Sequence, residues 1–449
     1  MSNLGHVRAI LALGLPLIGG HLAQFAIGLT DTIMLGWYSI EGLAAVTLAS
    51  TFFFVLFIFG SGFAQAVMPL VASQYAEGDD VQMRRTTRMG LWMSFVFALA
   101  VLPLFIFAAP VLRALGQTEE IAVQAQSYLR IAGWGIIPAL GVMVLKSYLA
   151  ALERTQVVLW VTLIAAVVNA IANYALIFGN WGAPELGLRG SAIASLFVQI
   201  LSLAVIAGYV LRALPEQQIF ARIWRPDWDA FYLVGRIGVP IGFTMLAEVG
   251  LFAAATLMMG WLGTIPLAAH GIALQLASAT FMVHLGLANA ATVRAGNALG
   301  RRDVAHLARG AKVVMAMSLG IALLTIAAFV VFPEQLIALF LDRNEPNKDA
   351  ILRAGGILLL MAGLFQLVDA LQVMALGLLR GLRDTKVPMI YAAFSYWIIG
   401  VPCSYALGFT FGFGGAGIWG GLAIGLAVAS VLMTKRFWRI GPEIVARGA

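Results

Sequence analysis

Charged residues and cysteine are both scarce in this sequence of 449 residues. Only 11% of the residues are Asp, Glu, Lys or Arg and 61% are hydrophobic, whereas soluble globular domains contain about 25% charged and about 45–50% apolar residues. This composition excludes an ordinary soluble domain, whose core cannot absorb so many apolar side chains. The single cysteine, Cys403, excludes an intramolecular disulfide and any zinc or redox site built from several cysteines.

The sequence contains long runs of apolar residues in place of the charged residues that are common in soluble proteins. A helix needs about 20 mostly apolar residues to cross the hydrocarbon of a bilayer, and such runs recur along the chain. They predict an all-α integral membrane protein with twelve transmembrane helices. The predicted helices cover residues 8–35, 42–72, 88–114, 122–150, 157–178, 187–213, 231–260, 265–296, 308–333, 348–379, 386–411 and 414–436. The first run is too long for the core of a signal peptide, so we expect it to be retained.

The basic residues predict the orientation of these helices, because lysines and arginines in short loops stay on the cytoplasmic side. The predicted loops place 22 of the 28 basic residues on the side that holds both termini. The six others are Arg113, Arg130, Arg189, Arg343, Lys348 and Arg353. We therefore expect a multi-pass protein of a bacterial inner membrane with both termini in the cytoplasm. Contacts with anionic lipid headgroups explain the net charge of +7 without nucleic-acid binding, and no obligate protein partner is evident.

The two halves of the chain repeat each other at an offset of 224 residues. The aligned pairs are Pro16 with Pro240, Gly36-Trp37 with Gly260-Trp261, and Ala44-Ala45 with Ala268-Ala269. Each half holds about six spans, and because six is even the two copies enter the membrane in the same direction. The predicted domains are an N-terminal six-helix lobe (1–213), a cytoplasmic linker (214–230) and a C-terminal six-helix lobe (231–449).

This repeat predicts two pseudo-symmetric bundles around a central cavity. Gene duplication alone is one interpretation of the repeat. The functional interpretation is that two bundles rock against each other and give alternating access to the cavity. Pro16 and Pro240, at matching depth in the first helix of each half, are candidate hinges.

Of the 21 acidic residues, 18 fall in predicted loops or at helix ends, and three fall inside predicted spans, where a charge costs about 2.5–3.5 kcal/mol. Asp31 lies near the outer end of the first helix, Glu248 in the middle of the seventh and Asp369 deep in the tenth, with Gln275 and Gln366 as candidate neighbours of the last two. Burial favours a neutral carboxyl and a bound cation favours an ionised one. Such groups can exchange a proton against a sodium ion or a cationic substrate; the alternative is a structural hydrogen bond between helices.

Neutral polar residues cluster in the first half. Asn169 and Asn173 are four residues apart and share a helical face, and Ser191 and Ser195 repeat this spacing on the next helix. With Asp31 they are candidate oxygen ligands for a small cation. The alternative is that Asn and Ser hold neighbouring membrane helices together.

Other patterns indicate packing. Gly417, Gly421 and Gly425 repeat every four residues, as in a face where two helices approach closely. The isolated histidines of the predicted spans are His21, His270 and His284. They belong to no metal-binding motif, so we expect packed or hydrogen-bonded side chains.

Several stretches, in this order and spacing, resemble the multidrug and toxic compound extrusion transporters, in particular their NorM-like bacterial branch. The stretches are 30–36 (TDTIMLG), Asn169 with Asn173-Tyr174, 267–270 (LAAH), 368–372 (VDALQ), Gly381 with Asp384-Thr385, and Tyr396-Trp397 followed by Pro402. The resemblance covers nearly the whole chain. It implies twelve helices in two lobes and export of organic, often cationic, compounds in exchange for sodium ions or protons, with no other cofactor.

The resemblance also implies roles for single residues. Glu248 and Asp369 match the acids credited with cation binding in the C-terminal lobe, where Na⁺ would bind, and Asp31 matches the acid of the N-terminal lobe. Phe365 stands where some relatives have tyrosine, which removes an oxygen ligand. Asn173 stands where some proton-coupled relatives have aspartate. These departures point in opposite directions, so the sequence leaves sodium and proton coupling open.

Two other functions fit the sequence less well. A flippase for lipid-linked precursors shares the two-lobed ancestry, but we would expect cationic residues for its pyrophosphate headgroup, and the mid-membrane charges in this sequence are acidic. A membrane-embedded enzyme is less well supported, since no His-Asp, Ser-His or Arg-rich phosphate constellation is found. The sequence therefore predicts no catalytic residue.

Overall fold

The computed structural model describes residues 2–341 and 345–448, so Arg343 lies outside the described residues. Within this part of the chain, twelve helices are long and apolar enough to cross a membrane. In chain order they are α1 (Asn3–Tyr38), α2 (Ile40–Glu77), α3 (Asp80–Ile106), α4 (Glu119–Ala151), α5 (Thr155–Phe178), α6 (Leu188–Ala213), α7 (Trp228–Leu262), α8 (Thr264–Arg301), α9 (Val304–Val331), α10 (Lys348–Gly381), α11 (Lys386–Thr410) and α12 (Gly414–Arg447). The prediction of an all-α protein with twelve such helices is confirmed.

Most helices extend beyond the apolar runs that predicted them, and the third shows why. A single helix was predicted over 88–114, but α3 begins at Asp80, where the Asp79 side chain accepts a hydrogen bond from the Gln82 amide at 3.0 Å. At the other end the backbone of Phe107 leaves the helical region, and a separate short helix follows at Ala108–Ala114. Apolar composition marks the part of a helix that suits hydrocarbon, whereas capping residues decide where the helix begins and ends.

Helices α11 and α12 pack through glycine. A Cβ atom added to Gly421 would lie 2.2 Å from the backbone nitrogen of Ser404, and one added to Gly417 would lie 2.4 Å from the carbonyl oxygen of Leu407. Gly425 approaches the α11 backbone in the same way. This confirms the predicted close-packing face on α12.

The chain forms two compact units. One comprises the residues up to Ile18 together with those from Phe243 onward, and the other comprises Gly19–Gly242. In the first unit, Ile10 belongs to the same buried core as α8 and α10. In the second unit, a Cβ atom on Gly62 would lie 2.5 Å from the carbonyl oxygen of Gly238, so the first part of α7 packs on α2.

These units differ from the lobes of 1–213 and 231–449 that follow the sequence repeat. The boundaries between the units lie two residues after Pro16 in α1 and two residues after Pro240 in α7. Both helices continue through their prolines. The difference arises because the two parts of each long helix belong to different compact units. A repeat in sequence does not show which other elements a segment packs against.

The segment between α6 and α7 is clamped to α3. Arg88 donates from Nε to the carbonyl oxygen of Ile219 at 2.8 Å and from Nη2 to that of Gln218 at 3.1 Å. The Trp92 indole donates to the carbonyl oxygen of Ile223 at 2.6 Å. The segment is therefore held by charged and aromatic donors, which is a stronger attachment than a flexible linker has.

We expect Arg88→Gln to increase the rate at which protease cleaves this segment. Arg222 is exposed within it and offers a trypsin site. Loss of a hydrogen bond from a charged group costs about 1.5–3 kcal/mol, so cleavage after Arg222 is expected to accelerate about tenfold where it proceeds through local opening. Limited trypsin digestion followed on a gel measures the rate. Arg84→Gln is the matched control, because the hydrogen bond from Arg84 to this segment is long, at 3.4 Å, and goes to the side chain of Gln218. Equal rates in wild type and Arg88→Gln would contradict the clamp.

Candidate functional site

Two acidic side chains lie near each other in the first compact unit. Asp369 on α10 is 1% exposed, and neither of its carboxyl oxygens has a hydrogen-bond donor among the described residues. Glu248 on α7 is partly buried and lies within electrostatic range of Asp369. A buried ionised carboxyl without a donor is costly, so this arrangement suits a carboxyl that is either protonated or bound to a cation.

The two glutamines predicted as neighbours differ in their placement. Gln366 is fully buried one helical turn before Asp369, and its amide donates to the carbonyl oxygen of Ala277 at 3.1 Å. This leaves the Gln366 Oε1 atom buried without a donor, as a cation ligand would be. Gln275 on α8 is exposed, and the structure shows no hydrogen bond between it and Glu248 or Asp369.

Sequence reasoning missed three residues beside these acids. Gln372 donates to the Tyr396 hydroxyl at 2.9 Å, and its own Oε1 atom has no donor among the described residues. Tyr396 and Arg380 both lie within electrostatic range of Glu248. Arg380 was assigned to a basic loop, but α10 continues to Gly381 and contains it. The available signal was helical spacing, since Gln372 and Arg380 share the face of Asp369.

Tyr396 reaches Gln372 from an unusual backbone. Residues Phe394–Gly400 of α11 form a π-helix, and Ala406–Thr410 form another. Each π-helix widens the helix and shifts the side-chain register, a feature that is rare in general and frequent at functional sites. A regular α-helix was predicted over 386–411, because side-chain periodicity does not reveal such a shift.

A second polar cluster lies in the other compact unit and contains Asp31. The side-chain amides of Asn169 and Asn173 on α5 both donate to Oδ1 of Asp31 on α1, at 2.6 and 2.5 Å. The structure therefore brings together three of the five residues that were predicted as cation ligands in this half. Asn173 Oδ1 is buried and has no donor among the described residues.

Tyr128 on α4 joins this cluster and was not predicted. Its hydroxyl lies beside the hydroxyls of Ser50, Ser191 and Ser195 and within electrostatic range of Asp31. Ser195 thus belongs to the cluster through Tyr128. A cavity of about 320 Å³ within this unit is partly lined by Tyr128.

The chemistry of both clusters favours small hard cations. No group of three or more His, Cys, Asp or Glu side chains that would hold a metal ion occurs in the described part of the chain. Carboxyl, amide and hydroxyl oxygens suit Na⁺ or a proton more than a transition metal. His270 and His284 are hydrogen-bonded in the core, to Trp419 and Ser318, as predicted.

Known proteins are similar to this chain in sequence and in fold. A family model described as MatE matches residues 16–175 and 240–406, two stretches that begin at the same offset as the internal repeat. The probable multidrug resistance protein NorM of Rhizobium meliloti (strain 1021) is 48% identical over 446 residues, which cover 99% of this chain and 96% of that protein. The protein of the same name from Agrobacterium fabrum is 46% identical over 438 residues, covering 97% of this chain and 94% of that protein.

Solved structures agree on the architecture. A transporter of the MOP superfamily from Pyrococcus furiosus superimposes with a TM-score of 0.87 at 20% identity, covering 97% of this chain and 96% of that chain. The eukaryotic MATE transporter AtDTX14 gives a TM-score of 0.85 at 18% identity and covers 99% of each chain. At these identities the likeness establishes the fold.

Proposed function

Since the chain belongs to the MatE family and is a multidrug efflux transporter of the membrane, we propose that it exchanges organic, often cationic, compounds for sodium ions or protons, with Glu248 and Asp369 binding the coupling ion. The observation that carries this proposal is the Asp369 carboxyl, which is buried without a donor and lies within electrostatic range of Glu248. Arg380 lies within electrostatic range of Glu248 and offsets its charge, so the buried Asp369 carboxyl needs either a proton or a bound cation of its own. In this proposal the cation is released when a conformational change alters the surroundings of Glu248 and Asp369.

Gln366 and Gln372 support the assignment, because each offers a buried amide oxygen that no described donor occupies. Asp31, with Asn169, Asn173 and Ser195, forms a second cation site in this proposal. Its carboxyl already accepts two hydrogen bonds, which stabilise the ionised form. Pro16 and Pro240 are proposed hinges, because the boundaries between the compact units lie just after them.

We place the protein in a bacterial inner membrane with both termini in the cytoplasm. The support is the unequal distribution of basic residues between the loops of the two sides. The protein is proposed to act on small molecules by transport alone, without an enzymatic step. The flippase alternative is not favoured, because the curated relatives are named multidrug resistance proteins.

Proteoliposomes test the coupling. Purified protein is reconstituted, and transport of rhodamine 123, an organic cation, is followed under separately imposed sodium and proton gradients. We expect one of the two gradients, directed opposite to dye movement, to drive accumulation of the dye against its concentration gradient. A rate of dye transport that is the same with and without each gradient would contradict coupled exchange. The gradient that drives accumulation of the dye identifies the coupling ion.

A further inference from the structure

A basic side chain lies inside helix α4 with no acidic partner. Lys146 stands five residues before the end of α4 and is partly buried. No ion pair of Lys146 occurs in the described part of the chain. An ammonium at membrane depth without a carboxylate is costly, and such residues are kept for function and face the bundle interior or water.

Neighbouring groups fix the position of this ammonium. Lys146 Nζ donates to Thr162 Oγ1 on α5 at 2.8 Å, and the Thr162 hydroxyl donates in turn to the carbonyl oxygen of Val158 at 2.8 Å. The Thr162 hydroxyl proton is already used in the hydrogen bond to Val158, so this hydroxyl can only accept a hydrogen bond from Lys146. The remaining protons of the ammonium point elsewhere.

The next titratable group is also a base. His21 on α1 is partly buried and lies within electrostatic range of Lys146. A Cβ atom added to Gly20, the residue before it, would lie 4.0 Å from Thr162 Oγ1, so this part of α1 passes close to α5. An ammonium and an imidazole therefore lie near Thr162 on three helices of one compact unit, and an anion is the group that would pair with the ammonium.

We propose that Lys146, with His21 and Thr162 beside it, forms a subsite that binds a carboxylate on transported substrates. The proposal rests on the proposed function and adds specificity to it: compounds that carry a carboxylate as well as a cationic group gain a contact that purely cationic compounds lack. It also gives a role to a partly buried lysine that cation coupling does not use.

Two dyes that differ in a single group provide the test. Rhodamine 110 carries a free carboxylic acid, and rhodamine 123 is its methyl ester. We expect Lys146→Met to lower transport of rhodamine 110 about tenfold, as loss of one charge-assisted hydrogen bond implies, and to leave transport of rhodamine 123 within about twofold of wild type. Lys146→Arg keeps the charge and is expected to retain most of the rhodamine 110 transport.

Arg154→Gln is the matched control. Arg154 lies just beyond the same helix, and its guanidinium donates to the Tyr209 hydroxyl at 2.9 Å. Its removal is expected to leave both dyes unaffected. Equal losses for the two dyes in Lys146→Met, or no loss for rhodamine 110, would overturn the subsite.

Binding separates this subsite from the proposed function. Fluorescence anisotropy of rhodamine 110 with detergent-solubilised protein is expected to give a Kd about tenfold higher for Lys146→Met than for wild type, whether or not any gradient drives transport. Wild-type protein that binds both dyes but transports neither would contradict coupled export and leave the subsite standing. Identical affinities in wild type and variant would contradict the subsite and leave coupled export standing.

Discussion

Glu248→Gln is expected to reduce gradient-driven export by about 30-fold or more while the protein still folds and inserts. Glutamine preserves the shape of the side chain but can neither carry the negative charge nor bind and release a proton. Removal of one member of a buried charge interaction costs about 2–5 kcal/mol, and about 1.4 kcal/mol corresponds to a tenfold change. Dye transport in proteoliposomes, normalised to the amount of reconstituted protein, measures the loss.

Glu77→Gln is the control for this substitution. Glu77 is the last residue of α2 and is exposed, so the same chemical change occurs there outside the site. We expect wild-type transport from this variant. Wild-type rates in Glu248→Gln would remove the residue from the coupling mechanism, and a loss of folded protein in that variant would instead indicate a structural role.

Gly421→Ala is expected to destabilise the protein, by about 2 kcal/mol or more. The added Cβ atom would lie 2.2 Å from the nitrogen and 2.3 Å from the Cα atom of Ser404. These are backbone atoms, so the methyl group fits only if α11 and α12 move apart. Overpacking of this kind costs about 1–3 kcal/mol and occasionally more. Heating in detergent followed by size-exclusion chromatography measures the change in Tm.

The neighbouring Gly420 supplies a control of opposite sign. Its added Cβ atom would meet only side-chain atoms at 3.6 Å, an ordinary van der Waals distance. Alanine is favoured over glycine in a helix by up to about 1 kcal/mol, so Gly420→Ala is expected to leave Tm unchanged or raise it. A Tm for Gly421→Ala equal to that of Gly420→Ala would contradict the tight packing between the two helices.

The two polar clusters show where prediction from sequence succeeds within a membrane protein. Asp31, Asn169 and Asn173 were predicted together and do meet, because the spacing of four residues on α5 places both amides on one face. Gln275 was predicted as a neighbour of Glu248 and Asp369 without such a spacing, and its side chain is exposed on α8. Spacing within a helix fixes which residues share a face, but it does not fix which neighbouring helix that face meets.

Residues that belong to a site through a neighbouring element escaped prediction. Tyr128 meets the Asp31 cluster from α4, and Tyr396 meets Gln372 from a π-helical part of α11. Lys146 was counted only as a basic residue that indicates orientation. Its significance comes from the acidic partner that it lacks, and the absence of a partner is visible only in three dimensions.

The sequence by itself determined the membrane-spanning class, the twelve helices, the internal repeat and the few ionisable residues kept among them. Each of these follows from local composition or from comparison of the chain with itself, because the cost of placing polar groups in hydrocarbon acts on every segment separately. The tertiary structure alone decided how α1 and α7 divide between compact units and which polar atoms of the described residues are left without a partner. These depend on close packing and hydrogen-bond geometry between segments far apart in the chain, which no local pattern encodes.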